Sequence, residues 1–154
     1  MNIRLGLSIL VLSLLTACSA QPATLAPAAT TSGNSQPLFS DFKTIATDKG
    51  QFFQITPAVL TSGLQAKNFF FVNVHIPYAG EIEKTDAFIQ YDQISLHFDE
   101  LPADKNAPIV LYCRSGRMSG IAANTLADAG YTNVWDLAGG MVAWEAAGYE
   151  VIQK

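Results

Sequence analysis

The chain has 154 residues, of which 49% are hydrophobic and 14% are charged, and its formal net charge is −4. This length fits one domain with short appendages, and the composition can fill a core, which excludes a chain that is disordered as a whole. No run of basic residues occurs in the sequence, which argues against nucleic acid as a partner.

The first 17 residues have the pattern of an export signal. Arg4 and the α-amino group give a positive start, and a predominantly apolar run follows from Leu5 to Leu15. This run is shorter than the roughly 20 residues that a membrane-spanning helix needs. It has the length of the apolar region of a signal peptide, so we predict that residues 1–17 are a targeting segment.

The end of this segment, Leu15-Thr16-Ala17-Cys18, resembles the bacterial lipobox. The resemblance implies a lipoprotein signal peptide, cleavage before Cys18 and acylation of Cys18. It therefore implies an exported protein that its lipid anchors to the membrane of the bacterial cell envelope. An ordinary signal peptide that carries a Cys at this place by chance is the alternative.

Residues 18–40 are predicted to form a flexible tether behind the lipid. No charged residue occurs between Ser19 and Pro37, where Pro, Ala, Ser and Thr dominate. Such a segment buries too little apolar surface to offset the entropy of ordering, and it can hold a domain off a membrane. All acidic residues lie beyond it, so we assign residues 41–154 to one folded domain.

Strand and helix patterns alternate in the first half of this domain. Short stretches rich in β-branched and aromatic residues indicate strands, and a Thr-Pro pair is typical of a helix start. The predicted elements are a strand at 51–55, a helix from Thr56-Pro57 to about Gln65, a buried strand at 68–74 and a short helix at 95–101. Residues 75–93 have no clear pattern.

The alternation continues in the second half. A wholly apolar run is typical of a central parallel strand that is covered on both faces, and Gly is typical of a helix end. The predicted elements are a strand at 108–112, a helix at 119–129 that ends before Gly130, a strand at 133–136 and a helix at 141–147 that ends before Gly148. We expect residues 121, 122, 125, 126 and 129 to form the apolar face of the first helix. This order predicts an α/β domain with a mainly parallel sheet.

The loop between the strand at 108–112 and the next helix carries unusual chemistry. It reads Cys113-Arg114-Ser115-Gly116-Arg117-Met118-Ser119. Apart from Arg4, it contains every Arg of the chain, and Arg suits oxyanions. Backbone N–H groups of a tight loop and the positive end of a helix bind anions, and Gly adopts conformations that such a loop needs. These features favour a thiolate, so we predict that Cys113 is a nucleophile beside an anion site. If Cys18 is acylated, Cys113 is also the only free thiol.

Two segments of the chain resemble the rhodanese domain family. Leu111 to Ser119 is similar to the family's active-site loop, which often reads C-R-S-G-x-R-S. The segment from Gly130 to Gly148 is similar to the family's closing stretch, with its GG, AW and G spacing. The resemblance covers about residues 50–152 and implies a single rhodanese-like domain with helices on both faces of the sheet.

The resemblance also implies a reaction. Cys113 attacks the outer sulfur of thiosulfate or a similar anion, sulfite leaves, and a persulfide forms on Cys113. Cyanide or a thiol then accepts the sulfur. Arg114, Ser115, Gly116, Arg117, Met118 and Ser119 are the implied substrate-binding residues. No metal or organic cofactor is implied, and His75 and His97 have no partners at metal-ligand spacing.

The chain departs from the family pattern at three places. Met118 stands where a basic residue is common, which puts the preference for thiosulfate in question. Asn73-Val74-His75 replaces the usual D-V-R. Related phosphatases have an Arg at the position of Ser119, so a phosphate would lack its main partner here.

Other interpretations remain open. A domain with this fold could bind a partner or sense a sulfur anion without catalysis, although such a role does not require an intact loop. A thiol-disulfide enzyme is disfavoured, since no second free Cys is present to resolve a mixed disulfide. Cys113 could be a buried core residue, Arg114 and Arg117 could be solvated charges, and Ser115 and Ser119 could serve only the loop and the helix cap. For Asp136 a structural role is favoured.

Overall fold

The computed structural model describes residues 38–154. The predicted signal peptide, Cys18 and nearly all of the predicted tether lie outside these residues. Within them, no helix is both long enough and apolar enough to cross a membrane.

A mixed sheet forms the centre of the described chain. Its strands are β1 Lys43–Ala46, β2 Gln51–Ile55, β3 Phe70–Asn73, β4 Ala87–Phe88, β5 Ile109–Tyr112 and β6 Val134–Leu137. Their order across the sheet is β1-β2-β6-β5-β3-β4. The edge pair β1 and β2 is antiparallel, and the other neighbours are parallel. The predicted α/β class with a mainly parallel sheet is therefore confirmed.

Helices cover both faces of the sheet. They are α1 Pro57–Gln65, α2 Arg117–Asp128 and α3 Gly140–Ala146, and two short 3₁₀ turns occur at Ile94–Leu96 and Phe98–Glu100. One core contains the α2 residues Ala122 and Leu126, and the other contains Leu60 of α1 and Trp144 of α3. The sheet thus separates α2 from α1 and α3.

The β5 strand illustrates how the sequence produces this arrangement. All four of its residues are buried, as expected for a parallel strand with a helix layer on each side. Because side chains alternate along a strand, Ile109 and Leu111 face the α2 core, while Val110 and Tyr112 face the α1 and α3 core. Cys113 continues the first series and faces the α2 core.

Local details differ from the sequence-based expectations. The α2 helix begins at Arg117 and not at Ser119, because Gly116 takes a left-handed conformation and serves as the N-cap. Its buried face includes Ala123 and Ala127, whereas Ile121, expected inside, is 42% exposed. The helix predicted at 95–101 is instead the two 3₁₀ turns, and β1 and β4 were not predicted.

Candidate active site

Cys113 lies at the carboxyl end of β5, where the chain leaves the sheet. Its side chain is only 1% exposed. The Gly116 backbone N–H donates a hydrogen bond to Sγ over 3.1 Å, and the Ser119 hydroxyl donates a second one over 3.4 Å. Two donors therefore converge on a sulfur that is at the base of the loop, and such donors stabilise negative charge on it.

The start of α2 adds to this positive environment. Gly116 has φ 88° and ψ −15°, and no side chain caps the helix. The N–H groups of the first helical turn have no partner within a helix, and the helix dipole places positive potential at the same end. An anion at Cys113 therefore lies beside a helix terminus that no side chain neutralises.

The start of α3 forms backbone hydrogen bonds with the loop. The Met141 N–H donates to the Cys113 carbonyl oxygen and the Val142 N–H to the Arg114 carbonyl oxygen, each over 2.9 Å. Since a trans peptide directs its N–H opposite to its C=O, these bonds turn the following N–H groups of the loop away from α3. The loop thus has its carbonyls bound and its N–H groups directed the other way.

Close backbone approach makes this contact depend on Gly140. It has φ +58°, and a Cβ added there would lie 2.2 Å from the Cys113 carbonyl oxygen. The sequence contained a signal for this role, since a Gly-Gly pair is typical of a tight turn. The sequence-based prediction placed the start of the helix just after this pair, at residue 141, and did not include the contact with the Cys113 loop.

The remaining loop residues differ in how deeply their side chains are buried. Arg114, Ser115 and Arg117 are exposed, so both guanidinium groups are accessible to an anion from solvent. Met118 is half-buried and packs against the α2 core. Ser119 is fully buried and is therefore more than a surface cap. The structure brings all seven residues into one loop and helix start.

His75, which follows β3, belongs to the surroundings of this loop. It is buried, and its pKa is lowered mainly by burial and further by the positive charge of Arg114. The preceding Asn73 is fully buried, donates to the Gly80 carbonyl over 3.0 Å and accepts from the His75 backbone N–H. Asn73 thus fixes the chain next to His75 without the carboxylate that is usual in the resembled family.

Other features of the described chain lie apart from this loop. In residues 38–154, no three His, Cys, Asp or Glu side chains are close enough together to hold a metal ion. A cleft of about 490 Å³ lies between α1, the segment 82–84 and residues 148–152. It contains no residue of the Cys113 loop.

Chemically, the loop is suited to a sulfur nucleophile that becomes or carries an anion. The thiolate, not the thiol, is the reactive form of Cys. Donors to Sγ, a helix N-terminus and two accessible Arg side chains all favour negative charge at this place.

Comparisons with known proteins agree with this geometry. A family model described as "Rhodanese-like domain" matches residues 65–147. The chain is 37% identical over 59 residues to a protein named "Sulfurtransferase" from Allochromatium vinosum, covering 38% of this chain and 53% of that protein. It is 32% identical over 80 residues to "Thiosulfate sulfurtransferase GlpE" from Pseudoalteromonas translucida, covering 52% of this chain and 68% of that protein.

A solved structure shares the fold. A rhodanese-like domain protein from Staphylococcus aureus superposes with a TM-score of 0.54 at 25% identity, covering 65% of this chain and 98% of that one. The chain covers 37%, 53% and 55% of the length of three curated relatives that it matches.

Proposed function

Because the chain belongs to the rhodanese-like domain family, we propose that it is a sulfurtransferase that moves sulfane sulfur through a persulfide on Cys113. The donor is thiosulfate or a related sulfur anion, and the acceptor is a thiol or cyanide. The observation that carries this proposal is the hydrogen bond from the Gly116 N–H to the Cys113 sulfur at the start of α2.

The reaction has two transfers. In the first, the Cys113 thiolate attacks the outer sulfur of thiosulfate. A bond forms between Sγ and that sulfur, the bond to the sulfonate sulfur breaks, and sulfite leaves with the electron pair. In the second, the acceptor attacks the outer sulfur of the persulfide, and Cys113 leaves as a thiolate. This is covalent nucleophilic catalysis, and preorganised N–H groups stabilise the charge on sulfur in the thiolate and in the persulfide.

The residues around Cys113 support distinct roles in this scheme. The loop N–H groups and the α2 N-terminus hold the persulfide, while Arg114 and Arg117, both exposed, attract and orient the anionic donor. Ser115 and Gly116 shape the loop, and Ser119 donates to Sγ. Met118 contributes no charge, so binding of a sulfonate rests on the two Arg side chains and the backbone.

Mass spectrometry of the intact protein tests the proposal. After incubation with thiosulfate, we expect Cys113 to gain one sulfur atom, and addition of cyanide or a thiol should remove it. Cys113→Ala should gain none. Transfer by that variant would refute the assignment of the nucleophile. Failure of the wild-type protein to gain sulfur from thiosulfate, a polysulfide or a persulfide would refute the enzyme and favour a non-catalytic module that binds a partner or a sulfur anion.

We further propose that the domain works outside the cytoplasm, anchored to the cell envelope through a lipid on Cys18. The proposal rests on the lipobox-like sequence Leu15-Thr16-Ala17-Cys18. Fractionation of cells that express the full chain tests it. The wild-type protein should be in the membrane fraction and Cys18→Ser should lose this association, while Ser19→Ala should keep it. Equal membrane association of the Cys18→Ser variant would refute the anchor.

A further inference from the structure

A groove of about 440 Å³ lies between α2 and the strands β1 and β2. One wall consists of five α2 residues, Arg117, Gly120, Ile121, Asn124 and Thr125. Their spacing of three or four positions places them on one face of the helix. Because a helix rises about 1.5 Å per residue, this face extends for about 12 Å. It begins at Arg117, which also belongs to the Cys113 loop, so the groove is continuous with the candidate active site.

The other wall is the edge of the sheet. Ile45 of β1 and Phe52 of β2 are paired across the two strands, and both side chains lie in or against the core that α2 covers. β1 is the last strand on this side, and within residues 38–154 no further strand pairs with its outer edge. An edge of this kind has backbone N–H and C=O groups that can bond to an added extended chain.

Gly120 makes the groove deeper than the fold of the domain requires. It lies inside α2, although Gly is one of the poorest helix formers, and its φ is not positive. A Cβ added at Gly120 would have no atom within 4 Å, so no neighbour in the described chain excludes a side chain here. The adjacent Ile121 is 42% exposed. What Gly120 provides is therefore open space beside an apolar side chain.

The surroundings of the groove indicate what kind of chain fits it. Of the described residues that line it, only Arg117 is charged, so the groove suits uncharged side chains, with apolar ones beside Ile45 and Ile121. The edge strand suits an extended backbone, in which alternate side chains point to the same side. An extended segment with apolar residues at alternate positions satisfies both conditions.

We propose that this groove binds an acceptor protein through an extended segment that carries the accepting cysteine. The inference rests on the proposed function and names its acceptor as a protein thiol. The thiol first loses its proton to water. Its sulfur then attacks the outer sulfur of the Cys113 persulfide. A bond forms between these two sulfurs, the bond to Sγ breaks, and Cys113 leaves with the electron pair.

The order of the strands sets the spacing within such a segment. β1 is three strands away from β5, and Cys113 follows the end of β5. Neighbouring strands are about 4.8 Å apart, so the distance is about 14 Å, which about four extended residues span. A segment that reaches both places therefore has about four residues between its cysteine and its first apolar residue.

Synthetic peptides test the proposal with the full-length protein. The matching peptide is acetyl-Cys-Ser-Gly-Ser-Ser-Val-Thr-Val-Thr-Val-amide, and its reverse sequence tests the opposite chain direction. The controls are N-acetylcysteine amide and the peptide with Ser in place of each Val. Thiosulfate is the donor, released sulfite is measured, and kcat/KM for the acceptor reports the second transfer. For the better chain direction, we expect kcat/KM to exceed that of both controls about tenfold, because the groove buries the Val side chains.

Gly120→Leu fills the groove and should leave α2 folded, because Leu is a better helix former than Gly and the space is open. We expect kcat/KM for the matching peptide to fall about tenfold, to the value for N-acetylcysteine amide. Transfer to N-acetylcysteine amide and to cyanide should be unchanged. Ala146→Leu is the matched control. It adds the same side chain at an exposed position of α3, on the other side of the sheet, and should keep all wild-type values.

Three results would overturn the proposal. The first is equal kcat/KM for the matching and Ser-substituted peptides in both directions, with normal transfer to cyanide. The second is a Gly120→Leu variant that uses the matching peptide as well as the wild type does. The third is a wild-type dimer that Gly120→Leu converts to a monomer in analytical ultracentrifugation, because a second copy would then occupy the groove.

The failure of the proposed function has a different signature. In that case the wild-type protein transfers no sulfur even to cyanide from thiosulfate, a polysulfide or a persulfide, and the inference about the acceptor falls with it. Circular dichroism establishes that each variant is folded. If Gly120→Leu does not fold, Ile121→Ser decides alone. It removes apolar surface from the same wall, and an unchanged kcat/KM for the matching peptide would overturn the proposal.

Discussion

Gly140→Ala is expected to damage both the stability of the domain and the reactivity of Cys113. Gly140 has a positive φ of 58°, a conformation that costs an L-residue about 1–2 kcal/mol. The new Cβ would also lie 2.2 Å from the Cys113 carbonyl oxygen and 2.8 Å from the Arg114 carbonyl carbon. Both are backbone atoms, so no side-chain rotation relieves the clash.

The loop and α3 must then separate. This movement weakens the two hydrogen bonds from the Met141 and Val142 N–H groups to the loop carbonyls, each worth about 0.5–1.5 kcal/mol. Together with the backbone conformation, we expect Gly140→Ala to lower the free energy of unfolding by about 2–5 kcal/mol. Alkylation of Cys113 should slow as well, because the loop N–H groups lose their orientation.

Gly148→Ala is the matched control. Gly148 also has a positive φ, of 88°, but a Cβ added there would have no atom within 4 Å. We expect it to cost only the conformational part, about 1–2 kcal/mol, with normal Cys113 reactivity. Urea denaturation gives the free energies, and iodoacetamide gives the reactivity. Equal losses of stability for both variants, or unchanged alkylation of Gly140→Ala, would refute the bracing of the loop by α3.

Three further predictions concern buried polar groups. Burial raises the pKa of Asp136 above its value in the unfolded chain, which is about 3.9. The unfolding free energy of the wild type relative to Asp136→Asn should therefore fall as the pH rises through the folded pKa. Urea denaturation at several pH values measures this difference, and a constant difference would contradict the prediction. Arg114→Ala should raise the pKa of His75, since Arg114 helps to lower it; an unchanged NMR titration of His75 would count against their proximity. Tyr112→Phe leaves the Ile82 N–H without its acceptor. This change should lower the free energy of unfolding by about 1–3 kcal/mol in the same denaturation assay and leave the alkylation of Cys113 unchanged. Unchanged stability would disprove the prediction.

Much of the second half of the domain could be predicted because its signals are local. The apolar run that became β5, the Gly after α2 and the Gly-Gly pair at the start of α3 each specify structure within a few residues. The family resemblance covered the same segments. The candidate nucleophile, Cys113, was recognised from this local context.

In the first half, the predicted strand at 51–55 and helix from Pro57 to Gln65 are confirmed. Residues 75–93 could not be predicted in the same way, because distant contacts organise them. The Tyr112 hydroxyl accepts from the Ile82 N–H, and Glu81 forms a β-bridge with Ile152. Neither contact leaves a periodic pattern near residue 80. The environment of Asp136 was missed for a similar reason, since its partner Gln54 comes from a strand far along the chain.

The hydrogen bonds from α3 to the Cys113 loop also have a consequence for a chain that is still being synthesised. All residues of the loop precede the segment whose N–H groups bind its carbonyls, Met141 and Val142. A growing chain that has reached the end of α2 contains the complete loop sequence but lacks the α3 N–H groups that orient the backbone of the loop. In a ribosome-bound or truncated chain that ends before Gly139, Cys113 should therefore lack the reactivity proposed for it, which should arise only when α3 is in place.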